Sequence, residues 1–307
     1  RWKRMAEQGK LVGGLGTTAC GKSGLGVELA LRFGGEIVSA DSRQVYRGLD
    51  LGTGKITAEE TKGVPHYLLD IVSPNESYSV AQFQQDAYAA IDDILSRGKP
   101  PFLVGGTGLY VRAVAEGYTF QEAKPDPELR ARLEQQDAPA LYALFQEKTG
   151  LTLSESERHN RQRLIRTMEK VFHGDSLTES PRNPRYQVLQ LGMTYPREVL
   201  NQRIEERLWR RVNDGMIEEV ANLRANGATD AFLEGLGLEY RHILWYLQGR
   251  YQSVDQLCEE LGRAIRQFAK RQVSWFKKDR DVLWLDTDGD FLAQATEAVE
   301  RFLEDKR

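Results

Sequence analysis

Two different spacings of apolar residues divide the chain. From Lys10 to Val114, apolar runs of strand length alternate with longer stretches whose apolar positions recur every three or four residues. "LVGGLG" leads into "GKSGLGVELALRF", which Gly34 and Gly35 stop; "EIVSA" and "YLLDIV" follow as strand candidates. Ser79 stands where an N-cap belongs before "VAQFQQDAYAAIDDILSRG", and "PFLVGG" leads into "GLYVRAVAE". Strands alternating with helices predict a parallel sheet with helices on both faces, an α/β fold that binds ligands at the carboxyl ends of its strands.

Residues 117–184 change the period. "KPDPELRARLEQQDAPALYALFQEKTG" and "SESERHNRQRLIRTMEKVFHG" read as short amphipathic helices with no strand candidate between them. We therefore expect an inserted all-helical subdomain over 117–184 and a core assembled from 1–116 and 185–307. "RYQVLQLGM" resumes the strand pattern, polar helices run from Pro196 to Lys278, "VLWLD" reads as the last strand, and a helix closes the chain.

Composition narrows the function classes. No apolar run approaches the roughly 20 residues that cross a bilayer, so no membrane span is expected. The two cysteines, Cys20 and Cys258, are too few for a disulfide framework or a zinc site, which suits a reducing compartment. The basic "RWKRMAEQGK" is followed by no secretory apolar core, so a cytoplasmic location is expected. A net charge of -3 hides three cationic stretches, at 157–170, 196–211 and 263–278. Local basic faces on an acidic chain point to a bounded polyanion site.

The chemistry begins at "GTTACGKS", residues 16–23, which fits G-x-x-x-x-G-K-[ST] between an apolar run and a helical one. This P-loop pattern lets the backbone N–H groups of Gly16, Thr17, Thr18, Ala19, Cys20 and Gly21 converge on phosphate oxygens. Lys22 adds a full charge and Ser23 a hydroxyl that can hold Mg²⁺. A kinase or NTPase would place an acid at the end of a core strand to position the metal. "PFLV" ends instead in "GGTGLY", and Asp286 after "VLWL" reads as a plain strand end. The acid best placed near the cradle is Asp41 in "EIVSADSRQVYRG", suited to a metal ligand or to a general base.

In order along the chain, "GTTACGKS", "EIVSADSRQVYRGLDLGTGK", "GVPHYLLDIVSP", "SVAQFQQDA", "FLVGGTGLYVRAV", "RQRLIRTME", "RIEERL" and "RQFAKRQVSWF" resemble the tRNA dimethylallyltransferase (tRNA isopentenyltransferase) family, from about Leu11 to Phe276. The resemblance implies that the phosphates belong to dimethylallyl diphosphate, whose five-carbon group passes to the exocyclic amine (N6) of the adenine beside the anticodon. It implies that this adenine is flipped out of the tRNA anticodon stem-loop into a channel that the donor enters from the other end. By match to the family's motifs, Asp41 is the expected general base, Thr107 a substrate-contacting hydroxyl, and Arg207 with Arg203 the arginines that clamp the diphosphate. Asp41, Ser42, Arg43 and Gln44 match family positions that touch the anticodon loop. Gln162, Arg163 and Arg166 fall in the insert that grips tRNA, and Lys270, Arg271 and Gln272 near Trp275 join charge to an aromatic. Magnesium is the expected cofactor and a monomer the expected state; the zinc finger of some relatives has no counterpart, the bacterial pattern.

The chain also departs from the family. Thr17 stands where Pro is common and Cys20 where Ser, Thr or Val is common, neither of which removes a backbone ligand. "EYRH" (239–242) replaces a "GYKE"-like stretch, so that Glu239 takes the place of a Gly and Tyr240 and Arg241 are left out of the tRNA contacts. The insert is shorter than usual, His66 reads as structural and His159 as RNA-facing or solvated. Three rival functions share the P-loop: an adenylate isopentenyltransferase acting on free AMP, ADP or ATP, an ATP-dependent kinase, and a non-catalytic RNA-binding protein with a nucleotide switch. The insert and the basic helices favour tRNA over the first, the missing acid disfavours the second, and Asp41 with Thr107 beside the cradle disfavours the third.

Overall fold

The protein is described here from a computed structural model, covering residues 8–120, 126–150, 152–153, 158–172 and 182–305. The first seven residues of the basic N-terminal stretch, and 154–157 and 173–174 of the second insert segment, lie outside the described residues.

Six parallel strands form one sheet in the order β3-β2-β4-β1-β5-β6. They are β1 (Lys10–Gly16), β2 (Glu36–Ser39), β3 (His66–Tyr67), β4 (Pro101–Gly105), β5 (Gln187–Met193) and β6 (Val282–Trp284). Between them run α1 (Lys22–Phe33), α2 (Val80–Ser96) and α3 (Gly108–Ala115), with α7 (Arg197–Asn213), α8 (Met216–Ala225), α9 (Asp230–Leu236), α10 (Leu238–Leu247) and α11 (Val254–Phe276) after β5, and α12 (Phe291–Glu304) last.

Strand side chains alternate between faces, so the central strands feed two cores. Leu11, Leu15, Val38 and Leu103 pack with Phe83, Ile91 and Ile94 of α2 and Val111 and Val114 of α3. Val12, Ile37, Phe102 and Val104 pack on the other face with Val27 and Ala30 of α1 and Ala295 and Val299 of α12. Burial on both faces explains why these strands read as continuous apolar runs. A third core, built from α7–α11, takes in Val45, Tyr46 and Leu49 from the segment after β2.

Local chemistry sets several boundaries. Gly34, left-handed at φ 64, ends α1, and the Ser79 and Gln82 side chains close a reciprocal capping box at the start of α2. One expected element fails: "YLLDIV" is not a strand of six residues. β3 stops at Tyr67 because Leu68 and Asp70 take positive φ, 66° and 56°, and Val72 returns only as an isolated bridge to Tyr46.

By their contacts the residues divide into two compact units, Arg1–Gly117 with Asn183–Arg307, and Tyr118–Arg182. The second contains α4 (Pro127–Leu133), α5 (Ala138–Thr149) and α6 (Arg161–Phe172), with its own core of Leu129, Leu133, Leu141, Phe145, Leu164, Ile165 and Met168. Among the described residues no helix is long and apolar enough to cross a membrane.

Candidate active site

The order of the sheet fixes where a site can form. From β1 the chain moves to β2 on one side, and from β4 it passes to β5 on the other, so the crevice opens at the carboxyl ends of β1 and β4. A cavity of about 420 Å³ lies there, within the range of small-molecule sites.

The β1–α1 turn forms one wall. Gly21, in the left-handed region at φ 87, turns the chain into α1 so that the N-terminus of the helix faces the cavity. Thr18, Ala19, Gly21, Lys22 and Ser23 line the cavity. Lys22 Nζ donates to the carbonyl of Thr17 at 3.4 Å, and the Thr18 N–H donates to Gln272 Oε1 at 2.9 Å. Thr17 and Cys20 are fully buried: Thr17 Oγ1 meets Thr194 Oγ1 at 3.2 Å, while the Cys20 N–H donates to the Thr17 carbonyl at 3.3 Å. Their side chains, with Gly16, shape the turn from behind and do not line the cavity.

Asp41 and Thr107 come together because β2 and β4 are neighbours. A side chain at Gly105 would run into the carbonyl of Ala40, so glycine there permits the close approach of the two strand ends. Asp41 Oδ1 accepts the N–H groups of Arg43 at 2.9 Å and Gln44 at 3.1 Å, which fixes the carboxylate's direction. Thr107 Oγ1 accepts the Ser42 N–H at 3.0 Å and lies 3.3 Å from Ser42 Oγ. Gln44 Nε2 donates to the Thr53 carbonyl at 3.0 Å, and Gln272 Nε2 donates to the Gly106 carbonyl at 3.2 Å. Gln272 thereby ties the P-loop to the end of β4.

Arginines make the remaining wall. Arg207 donates to Thr18 Oγ1, and Arg203 Nε donates to the Ala19 carbonyl at 2.8 Å with its guanidinium 4.5 Å from the Tyr195 ring. Arg207 lines the cavity; Arg203 braces the loop from outside it. Burial, and then the neighbouring Arg211 cation, push the Arg207 guanidinium down to about 9. A half-buried cation beside a second one gains from an incoming anion.

Sequence reasoning passed over Arg211 in this wall and the buried carboxylate that holds Arg43, Glu239. Arg211 lies one turn beyond Arg207 on α7 and lines the cavity, and the spacing Arg203, Arg207, Arg211 is a helical stripe that could have marked it. Glu239 is 2% exposed, and its Oε2 accepts from Arg43 Nη1 at 2.7 Å while Arg211 Nη1 lies 3.9 Å from Oε1. Burial opposes the Glu239 charge, but Arg43 and Arg211 outweigh it and hold the carboxyl below its ordinary range. His66 also lines the cavity, with Nδ1 2.8 Å from the Val64 carbonyl, and burial lowers its pKa.

The other expected RNA contacts fall elsewhere. Arg271 lines the cavity with Gln272, whereas Lys270 is exposed and does not. Gln162, Arg163 and Arg166 sit exposed on α6 in the second unit; the Arg163 N–H is capped by Asn160 Oδ1 at 3.1 Å and Arg166 lies 3.6 Å from Glu169.

A Mg²⁺ ion fits this site only as an ion shared with its ligand. Ser23, exposed in the first turn of α1, offers one hard oxygen, and among the described residues no three His, Cys, Asp or Glu side chains gather into a cage.

Comparison with known proteins is consistent across most of the chain. The IPP transferase family model matches residues 44–279. The tRNA dimethylallyltransferase of Thermomicrobium roseum is 40% identical, the match covering 95% of this chain and 91% of that one. The tRNA dimethylallyltransferase 2 of Shewanella sediminis is 42% identical over 93% of this chain and 96% of its own. Among solved structures, the full-length tRNA isopentenylpyrophosphate transferase of Bacillus halodurans superposes with a TM-score of 0.74 at 38% identity, covering 97% of both chains.

Proposed function

Because the chain belongs to the IPP transferase family, we propose that it transfers the dimethylallyl group from dimethylallyl diphosphate to N6 of the adenine adjacent to the anticodon of tRNA. The observation that carries this reading is that one cavity holds both the phosphate-binding turn and Asp41 with Thr107. A phosphate cradle alone would serve many enzymes. A cradle facing an oriented carboxylate, with no Walker-B acid at the end of β4, suits displacement of a diphosphate by a weakly basic amine.

The steps follow from these groups. The adenine amine attacks the allylic carbon, the new N–C bond forms, and the C–O bond to the diphosphate breaks with its electron pair leaving on oxygen. Charge grows on the departing diphosphate, where Lys22, Arg207 and the N-terminus of α1 stabilise it. The amine's proton passes to Asp41, whose carboxylate is already oriented by the Arg43 and Gln44 N–H groups. Thr107 holds the Ser42 end of the same turn. Mg²⁺ bound at Ser23 would supply further positive charge to the diphosphate. Ile56, Leu69 and Phe268 among the lining residues offer apolar contact to the five-carbon chain. For the RNA, Arg43, Gln44 and Arg271 stand at the cavity, and Gln162, Arg163 and Arg166 are exposed to meet backbone phosphates.

The test mixes the purified protein with labelled dimethylallyl diphosphate, Mg²⁺ and either an anticodon stem-loop bearing the target adenine or free AMP. Label is expected on the stem-loop alone. Label on AMP alone would replace this reading with that of an adenylate isopentenyltransferase.

A further inference from the structure

Glu239 is a buried carboxylate that the chemistry above does not use, and burying a charge is unfavourable unless its surroundings compensate it. Its position makes sense only through its partners. It sits in the first turn of α10, on a different core from β2, yet its Oε2 accepts from Arg43 at 2.7 Å. Arg43 in turn gives its backbone N–H to Asp41 Oδ1 at 2.9 Å. The neighbouring Tyr240 lies fully buried with the Arg43 guanidinium 6.0 Å from its ring. Tyr240 Oη donates to Glu219 Oε2 at 3.0 Å, and Glu219 accepts the N–H groups of Asp50, Leu51 and Gly52 at 3.0, 2.8 and 3.1 Å. The start of α10 thus grips both segments that follow Asp41: Glu239 holds 41–44 through Arg43, and Tyr240 holds 50–52 through Glu219.

The same carboxylate divides the arginines. Arg43, Arg207 and Arg211 all line the cavity. Glu239 engages Arg43 directly and stands 3.9 Å from Arg211, while Arg207 turns to Thr18 at the P-loop. Gly54 leaves room for this arrangement, since a side chain there would run into the Arg211 guanidinium. Without Glu239, only the Tyr240 ring would hold the Arg43 guanidinium, and the turn that orients Asp41 would lose its charged tie to α10.

We propose that Glu239 is a positioning residue for the transfer step: it holds the Arg43 guanidinium against α10 and so aims the Asp41 carboxylate. The proposal rests on the prenyl-transfer reading. The experiment compares Glu239→Gln, Arg43→Met and the double variant in stem-loop prenylation at saturating RNA, each checked for folding by its melting curve. Glu239→Gln keeps the size and removes the charge. It should lower kcat tenfold or more while leaving the KM for the prenyl donor within twofold, and Arg43→Met should do the same. The double variant, which removes both buried charges together, should be no slower than the slower single one, since both act through one link. Should Glu239→Gln fail to fold, Arg43→Met and the double variant carry the test. Wild-type kcat in any folded variant, rate losses that multiply in the double variant, or parallel loss of kcat and donor affinity would overturn the role. An inactive wild-type protein would instead overturn the transferase reading itself.

Discussion

The two sides of the cavity are made of different material. Apart from the Lys22 side chain, the P-loop side is backbone: a left-handed glycine, a helix N-terminus and N–H groups, with Thr17 and Cys20 buried behind them. The facing side is side chain: Asp41, Arg43 and Thr107 from the segments that follow β2 and β4, and Arg207 and Arg211 from α7, with Glu239 of α10 paired to Arg43. The first kind of wall tolerates sequence change so long as the turn survives. The second depends on charges from distant segments meeting at the right distance, and a substitution at one leaves its partner unmatched.

Substitutions should separate the two sides. Asp41→Asn should have the largest effect, lowering the transfer rate by about 10²–10⁴-fold as expected for loss of a general base while donor affinity holds. Single-turnover kinetics with donor already bound checks this, and full activity would remove Asp41 from the base role. Lys22→Ala should weaken donor binding by about 1.5–3 kcal/mol, the worth of a charge-assisted hydrogen bond, read by calorimetric titration with dimethylallyl diphosphate. Unchanged affinity would contradict the cradle. Thr107→Val should leave the Ser42 N–H without its acceptor and cost about 1–3 kcal/mol, seen as a lower melting temperature together with a lower kcat. Cys20→Ala should matter least: a buried filler with no contact to the cavity predicts activity within about threefold of wild type, because the loop works through its backbone.

What was legible in the sequence follows the same division. Strand and helix periods, the Ser79 cap and the P-loop are local patterns, and each is found where its residues predict. "YLLDIV" misled because periodicity cannot see that Leu68 and Asp70 adopt positive φ and break the strand after two residues. On the far wall, Asp41 was marked by its place after an early strand, Thr107 and Arg207 were reached only through resemblance, and the Glu239–Arg43 pair was not reached at all. Those residues are 196 positions apart, and no local pattern in either segment pairs them. Lys270 shows a limit of the same kind: the cations at 270 and 271 look alike in the sequence, and only Arg271 lines the cavity.

The most direct measurement is a crystal structure of the protein with dimethylallyl diphosphate, or an unreactive analogue, and an anticodon stem-loop. It should place the diphosphate on the P-loop within hydrogen-bond reach of Lys22 and Arg207, and the Asp41 carboxylate within about 3.2 Å of the flipped adenine's amine. A purine nucleotide seated on the P-loop, with the stem-loop adenine bound away from Asp41, would contradict the account.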